Sequence, residues 1–264
     1  MTKPIGFFDS GVGGLSVLKV AMEQSNTPYL YIGDTLRVPY GVRTPEEVKR
    51  FTLECIDLMA AQDPAAVVIA CNTATAYALK AAQARYDFPV IGVIGPGARA
   101  AVEKSQKKKI ALLATEGTVK SGHYRETIRS YDPSIEVVGV GAPDLVVAIQ
   151  DGHMDDAEVE AIIARYLEEF GDFDYDTLIL GCTHFPLARS VFERLIPAER
   201  GVAIIDPAVP TVQQLEAYFA PDGGDGSIQF MATDDIVAFQ NIAERVLDLS
   251  GSKSVFQKVN VGGK

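Results

Sequence analysis

The sequence has little cysteine and little histidine, three of each among 264 residues. An odd, low cysteine count in a chain of this length argues against a disulfide framework and favours a reducing compartment, so we expect a cytoplasmic protein. Long apolar runs are absent: none approaches the length that crosses a membrane, and the first residues lack the apolar core of a secretory signal peptide. We therefore expect no membrane partner.

Positive charge is scarce as well. Lys and Arg total 24 against 35 Asp and Glu, which gives a formal net charge of −11. This balance argues against a nucleic-acid partner. An anionic small substrate remains compatible with it, because a cleft can carry its own local field.

Short apolar segments rich in β-branched residues alternate with helical segments along the whole chain. This alternation predicts an α/β protein with mainly parallel sheets. We expect two pseudo-symmetric doubly wound lobes with the active site between them. Breaks near residues 95–97 and 206–207 place the first lobe at residues 1–95 plus 207–264 and the second lobe at residues 96–206.

Two of the predicted buried strands end in a cysteine. Residues 67–70 (Val-Val-Ile-Ala) precede Cys71 and an Ala-rich helical segment, and residues 178–181 (Leu-Ile-Leu-Gly) precede Cys182. Open α/β sheets bind ligands at the carboxyl ends of their strands, and a helix amino terminus there favours an anion such as a thiolate. Two such junctions suggest that two halves of the chain face one site.

The two cysteines admit four interpretations. Each can be an inert buried thiol, which is the usual state of a lone cysteine. A disulfide between them is disfavoured by a reducing compartment. A zinc site with His184 lacks C-x-x-C spacing and an evident fourth ligand, so we expect no metal. The fourth interpretation is a pair of thiols that act as opposed acid and base.

An opposed pair suits the inversion of a chiral carbon by proton transfer, which needs a base on one face and an acid on the other. One thiol must then be ionised, although an unperturbed thiol, with a pKa of about 8.5, is mostly protonated at neutral pH. His184, two residues after Cys182, and Asp9, at the end of the first strand, are candidate helpers. The third cysteine, Cys55, has apolar neighbours at helical spacing and is expected to be a core residue.

Polar loops follow other predicted strands. A Gly-rich turn at residues 9–14 allows backbone N–H groups to approach a ligand closely. With glycines at 11, 13 and 14 it lacks the spacing of a dinucleotide-binding turn. Residues 33–41 form an irregular loop, and residues 115–118 follow another strand. Loops at this edge of a sheet commonly carry binding groups.

Five motifs occur in order along nearly the whole chain: Gly-Phe-Phe-Asp-Ser-Gly-Val-Gly-Gly-Leu-Ser (6–16), Gly-Asp-Thr-Leu-Arg-Val-Pro-Tyr-Gly (33–41), Ala-Cys-Asn-Thr-Ala-Thr (70–75), Pro-Val-Ile-Gly-Val-Ile (89–94) and Gly-Cys-Thr-His-Phe-Pro-Leu (181–187). In these motifs the chain resembles the cofactor-independent glutamate racemases of the aspartate/glutamate racemase superfamily. The resemblance implies a racemase that interconverts L- and D-glutamate without pyridoxal phosphate or another cofactor and supplies D-glutamate for peptidoglycan. The implied partner is a small acidic amino acid, and a homodimer is compatible with the family.

The resemblance also implies roles for individual residues. Cys71 and Cys182 transfer the protons, assisted by Asp9 and His184, respectively. Retention of Pro39-Tyr40-Gly41 favours glutamate as the substrate. The implied substrate-binding residues, besides the four just named, are Ser10, Pro39, Tyr40 and Gly41 near the distal carboxylate and Asn72, Thr73, Thr115, Thr118 and Thr183 around the amino-acid head.

Three positions depart from the family pattern. Gln150 stands where the family carries a Glu that assists on the Cys182 side, so that role is either absent or moved to Asp151. Ala142 and Gly95 stand where Cys and Glu are expected. Two alternatives stay open: a racemase of aspartate or another acidic amino acid, and a non-catalytic amino-acid-binding regulator on the same fold.

Overall fold

The structure is a computed structural model that describes residues 2–220 and 224–262; residues 1, 221–223 and 263–264, which fall in the predicted first lobe, lie outside the described residues. The strands are β1 (Ile5–Asp9), β2 (Tyr29–Gly33), β3 (Ala66–Ile69), β4 (Val90–Gly92), β5 (Lys109–Ala114), β6 (Glu136–Gly141), β7 (Thr177–Gly181), β8 (Ala203–Ile205), β9 (Ile228–Ala232) and β10 (Ser254–Lys258). The α-helices are α1 (Leu15–Gln24), α2 (Pro45–Ala60), α3 (Asn72–Arg85), α4 (Ile94–Lys104), α5 (Glu116–Ser121), α6 (His123–Tyr131), α7 (Pro143–Gln150), α8 (Ala157–Glu168), α9 (Arg189–Leu195), α10 (Ala208–Gln213) and α11 (Ile236–Val246). Short 3-10 helices lie at Tyr40–Val42, Phe185–Ala188, Ala198–Arg200 and Glu216–Tyr218.

The described strands pair in parallel and form two sheets. The first sheet has the order β10-β9-β2-β1-β3-β4, and the second has the order β6-β5-β7-β8. The run β2-β1-β3-β4 repeats the order of the second sheet, and β9 and β10 extend the first sheet beyond β2. The predicted α/β class with two pseudo-symmetric lobes is confirmed.

Alternation along the strands buries both faces of each sheet. In β1, Ile5 and Phe7 pack with α1, whereas Phe8 packs on the opposite face with α2. The second sheet is covered by α7, α8 and α9 on one face and by α4 and α6 on the other. None of the described helices is both long and apolar enough to cross a membrane.

The sequence pattern predicts single helices over about residues 119–130 and about residues 208–219, and both differ in extent in the structure. The single helix expected over residues 119–130 is two helices, α5 and α6, because Gly122 between them has a φ of +72°, which glycine adopts without a steric penalty. The helix expected over residues 208–219 ends as α10 at Gln213, and a 3-10 turn follows. The boundaries of the two lobes stay a prediction.

Candidate active site

Residues that follow β1 and β3 in the first sheet and β5 and β7 in the second meet at one small cavity between the sheets. Its volume is about 20 Å³, which is room for about one water molecule. Cys71 and Cys182, the two thiols expected to act together, both line this cavity and come from different sheets. The other lining residues are Ser10, Val38, Pro39, Tyr40, Gly41, Asn72, Thr73, Thr115, Val146, Thr183 and His184.

Cys71 is the N-cap residue of α3. Its Sγ accepts a hydrogen bond from the N–H of Ala74 at 3.4 Å, and the thiol donates to Oγ of Ser10 at 3.6 Å. Burial raises the pKa of the Cys71 thiol to about 12; the Asp9 carboxylate raises it too, and hydrogen bonds from Ala74 and Ser10 oppose the rise. Cys71 is therefore a protonated acid here, beside donors that can stabilise its thiolate.

Cys182 follows β7 in the same way, but a 3-10 turn rather than an α-helix comes after it. Its sulfur lies 3.7 Å from Nδ1 of His184. Burial raises the pKa of the Cys182 thiol, although the backbone N–H groups of His184 and Phe185 oppose the rise. Burial lowers the pKa of His184, which is 2 % exposed. A neutral imidazole is thus placed to accept the Cys182 proton.

Asp9 ends β1 and is fully buried just behind the residues that line the cavity. Its Oδ1 accepts the N–H of Gly11 at 2.8 Å, and its Oδ2 accepts the hydroxyl of Thr183 at 3.0 Å. Since Thr183 follows β7, this carboxylate joins the two lobes. The turn itself must be Gly-rich, because a Cβ on Gly13 would lie 2.5 Å from Nδ1 of His184.

The loop after β2 brings Tyr40 and Gly41 to the cavity. The Tyr40 hydroxyl donates to the buried carboxylate of Asp34, which also accepts Nε of Arg37 at 2.6 Å. Because the phenol is engaged there, the backbone of Tyr40 is the part left to bind a ligand. A Cβ on Gly41 would lie 2.8 Å from Cβ of Thr115, so the loop packs directly on the second lobe.

The residues that begin α3 also contact the second lobe. Oδ1 of Asn72 accepts the hydroxyl of Tyr124 at 2.7 Å, and the buried Nδ2 has no hydrogen-bond partner among the described residues. Oγ1 of Thr73 lies 2.8 Å from that of Thr115 and 3.2 Å from that of Thr118. Thr118 does not line the cavity; it supports the other two threonines from behind. The amide of Asn72 is a ready donor for a carboxylate.

Sequence reasoning did not select four residues that shape the site. Gln150, marked in the sequence only as a departure from the family, places Oε1 2.8 Å from Nε2 of His184. Asp151, the alternative carrier of the family's Glu, is exposed. Of the remaining three, Val38 lies within the motif at residues 33–41 but has no polar group to mark it, whereas Val146 and Tyr124 lie outside the five motifs.

The arrangement can move protons between a small anionic molecule and two thiols. All three cysteines are free, and Cys55 lies in the apolar cluster between the first sheet and α2, as expected of a core residue. The described residues contain no group of three or more His, Cys, Asp or Glu side chains that could hold a metal ion. What converges on the cavity is a pair of sulfurs, one imidazole, one carboxylate behind them, and several N–H and hydroxyl donors.

Comparisons with known proteins point to one family. Residues 16–215 match the family model described as Asp/Glu/hydantoin racemase. A curated glutamate racemase from Enterococcus faecalis is 39 % identical over an alignment of 267 positions, which covers 98 % of this chain and 96 % of that protein. A glutamate racemase isoform from Bacillus anthracis has a solved structure with a TM-score of 0.90 at 35 % identity, covering 98 % of this chain and 99 % of that one. The structure of a Francisella tularensis glutamate racemase in complex with D-glutamate gives a TM-score of 0.85 at 28 % identity, over 99 % and 98 % of the two chains.

Proposed function

Because the chain belongs to the Asp/Glu/hydantoin racemase family, we propose that this amino-acid racemase interconverts L-glutamate and D-glutamate. The similar proteins named as glutamate racemases support this substrate, and one of them binds D-glutamate. The observation that carries the proposal is the position of Cys71 and Cys182, one from each sheet, on a single cavity.

In the proposed reaction, one thiolate removes the α-proton of glutamate. A new S–H bond forms, and the electron pair of the C–H bond passes to the α-carbon and its carboxylate. The second thiol then gives its proton to the opposite face, which produces the other enantiomer and leaves that sulfur as a thiolate. The reverse reaction exchanges the roles of Cys71 and Cys182, so both steps use only acids and bases of this chain.

Each thiol needs help to ionise, because burial raises the pKa of both. On the second lobe, His184 accepts the Cys182 proton through Nδ1. On the first lobe, the N–H of Ala74 at the start of α3 stabilises the Cys71 thiolate. The charge of Asp9 raises the pKa of Cys71, so the proposed assistance of Asp9 is that of a base that removes or holds the proton. The α-ammonium group of the bound substrate adds a positive charge, and a positive charge lowers the pKa of a neighbouring thiol.

Substrate carboxylates are proposed to bind the donors that surround the two thiols. Around the α-carboxylate, Nδ2 of Asn72 is the donor whose hydrogen bonds are unused in the described structure. The distal carboxylate is assigned to Ser10 and to the backbone N–H groups at Tyr40 and Gly41, which begin a 3-10 turn. Thr73, Thr115 and Thr183 complete the amino-acid head site, with Thr118 and Pro39 as supporting residues.

Glutamate does not fit the cavity as it stands. A volume of about 20 Å³ accommodates about one water molecule, whereas glutamate has ten non-hydrogen atoms. We therefore propose that the lobes, divided at residues 95/96 and 206/207, separate to admit substrate and close over it. Closure excludes water and strengthens the electrostatic stabilisation of the carbanion-like state.

The cellular role follows from the product. We propose that D-glutamate made by this enzyme enters peptidoglycan synthesis in the cytoplasm, as the family resemblance implies. A homodimer is proposed as the assembly on the same basis.

The test is the fate of solvent deuterium. L-glutamate and D-glutamate are each incubated with the enzyme in D₂O, and the α-position of both enantiomers is followed by NMR at early times. Two opposed bases predict deuterium in the product while the remaining substrate keeps its protium. Equal early labelling of substrate and product would indicate a single base, and no exchange with either enantiomer would favour the non-catalytic binder.

Substrate choice needs a separate measurement. Turnover of L-aspartate beside L-glutamate distinguishes the proposed activity from an aspartate racemase. Glutamate is expected to be the better substrate by kcat/KM, and a preference for aspartate would overturn the assignment.

A further inference from the structure

The amide of Gln150 holds the far side of the His184 ring. Oε1 of Gln150 lies 2.8 Å from Nε2 of His184, and Nδ1 on the opposite side of the ring lies 3.7 Å from Sγ of Cys182. The imidazole is buried, so its two nitrogens are confined to these partners. The side chains of Gln150, His184 and Cys182 therefore form a continuous row of polar groups.

The positions of the protons along this row can be worked out from the Cys182 thiol and from the Gln150 amide. A protonated Cys182 thiol has one hydrogen to donate, and Nδ1 of His184 is the acceptor the structure gives it. Nδ1 must then carry a lone pair, so the single hydrogen of a neutral imidazole is on Nε2. An Nε2–H group needs an acceptor, and the carbonyl oxygen of Gln150 is in that position. The Cys182 thiol and the Gln150 carbonyl therefore both require the Nε2–H tautomer of His184.

We propose that Gln150 is a positioning residue that fixes His184 in the Nε2–H tautomer, so that the lone pair of Nδ1 faces the Cys182 thiol. The inference rests on the proposed function in assigning Cys182 a proton-transfer role. To form the thiolate, the S–H bond breaks, its electron pair stays on sulfur, and the proton binds Nδ1. Gln150 keeps its hydrogen bond to Nε2–H throughout and takes no proton itself.

The neutrality of Gln150 has a consequence for charge. The charged or titratable groups that face His184 are the Cys182 thiol on its own loop and the Asp9 carboxylate from β1, which raises the pKa of His184 against the larger effect of burial. A second carboxylate at position 150 would add to the Asp9 effect and favour an imidazolium. The amide supplies the same acceptor without that charge, so the resting pair is a neutral thiol and a neutral imidazole.

Gln150 also reaches across the lobes. It is the last residue of α7 in the second lobe, yet a Cβ on Gly11 of the first-lobe turn would lie 2.8 Å from its Oε1. The absence of a side chain at Gly11 thus leaves room for the amide. The contact between Gln150 and His184, both in the second lobe, therefore depends on the space left at Gly11 in the first lobe.

The direct test is the tautomer of His184, read by ¹⁵N NMR of the imidazole nitrogens in the full-length protein. The chain has three histidines, so His123→Gln and His153→Gln variants assign the signals. The native chain is expected to show His184 neutral with the hydrogen on Nε2 at pH 7. Gln150→Met, which has similar length but no acceptor, is expected to give a mixture of both tautomers. Gln150→Glu is expected to move the His184 titration to higher pH.

A native Nδ1–H tautomer of His184, or an unchanged ¹⁵N spectrum in Gln150→Met, would overturn the proposal.

A kinetic readout separates positioning from mere structural support. In Gln150→Met, kcat/KM is expected to fall roughly fivefold, the factor that one net hydrogen bond commands. The primary isotope effect with α-deuterated glutamate should grow for the enantiomer that Cys182 deprotonates and not for the other. The fall in kcat/KM must be the same for both enantiomers, so an equal increase of the isotope effect for both is the result that would contradict the proposal. Should the enzyme fail to racemise glutamate while the NMR result holds, the proposed function fails and the positioning role stands.

Discussion

In the first lobe, Cys71 caps the 14-residue helix α3, whereas in the second lobe Cys182 precedes a four-residue 3-10 turn. The strand order around the two cysteines is the same. The groups beside them differ: Ser10 contacts Cys71, and His184 contacts Cys182. A repeated topology therefore places two sulfurs equivalently, and the loops then give each sulfur a different way to lose its proton.

Asp9 connects the two halves of this comparison. Its carboxylate raises the pKa of Cys71, where it is the largest influence after burial, and it also raises the pKa of Cys182, where burial, the His184 N–H and Cys71 are larger influences. The same carboxylate accepts the hydroxyl of Thr183 from the other lobe. The Asp9 charge that acts on Cys71 is therefore also part of a contact between the lobes, next to Cys182.

The largest effect is expected from replacing either thiol. Cys71→Ser and Cys182→Ser keep the shape of the side chain but put a much weaker acid in its place. Each variant is expected to lose about 10²–10⁴-fold in kcat/KM, the usual contribution of a positioned acid or base. The loss should be the same in both directions, because the equilibrium constant between enantiomers is one. Circular dichroism of the glutamate pool measures the rate.

Cys55→Ser is the matched control for those variants, since Cys55 is buried but lies away from the cavity. Its activity should stay close to that of the native chain, because Cys55 does not line the cavity and no acid or base is removed there. Near-native turnover by Cys71→Ser or Cys182→Ser would contradict the prediction that both cysteines transfer protons.

The next largest effect is expected from Asp9→Asn, which removes the shared charge. Loss of a charge-assisted hydrogen bond predicts a fall of roughly 10- to 100-fold in kcat/KM. Because the Asp9 carboxylate raises the pKa of both thiols, that of each thiol should fall in the variant. Cys55 is a third free thiol, so thiolate absorbance against pH reports each sulfur alone only in the double backgrounds Cys55→Ser with Cys182→Ser and Cys55→Ser with Cys71→Ser. An unchanged pKa at both sulfurs would show that the Asp9 charge does not act on either thiol.

The sequence predicted the parts of the site that have a local pattern. Cys71 and Cys182 stand out because each directly follows an apolar run, and the end of a parallel strand is a known place for ligands. Tyr124 could not be found in this way, since its role depends on a contact with Asn72, 52 positions away. Gly122 shows the same limit for the fold: helical spacing continues through it, and only its left-handed backbone reveals the break. Local pattern therefore predicts elements and their ends, whereas contacts between lobes need the folded chain.

A smaller effect is expected from Tyr124→Phe, which tests the contact between the lobes at Asn72. Without the hydroxyl, Oδ1 of Asn72 loses the hydrogen bond that fixes the orientation of its amide. KM is expected to rise and kcat to fall, together lowering kcat/KM roughly fivefold, because the α-carboxylate that Asn72 binds gains negative charge in the transition state. Tyr131→Phe, on the exposed end of the same helix, is the control. An unchanged kcat/KM in Tyr124→Phe would remove Tyr124 from the site.

The smallest effect is a pH dependence of stability that belongs to the second lobe. Burial lowers the pKa of His184, whereas the unfolded chain titrates near the ordinary value of about 6.5. Below that pH the unfolded state binds more protons, so the free energy of unfolding should fall with decreasing pH, by at most about 1.4 kcal/mol per pH unit from this group. In His184→Gln, the free energy of unfolding in urea should fall less steeply between pH 7 and pH 5 than in the native chain. In His153→Gln it should fall more steeply, because Asp156 raises the pKa of that exposed histidine and its contribution has the opposite sign. The same pH dependence of the free energy of unfolding in the native chain and in His184→Gln would show that burial does not keep the imidazole beside Cys182 neutral.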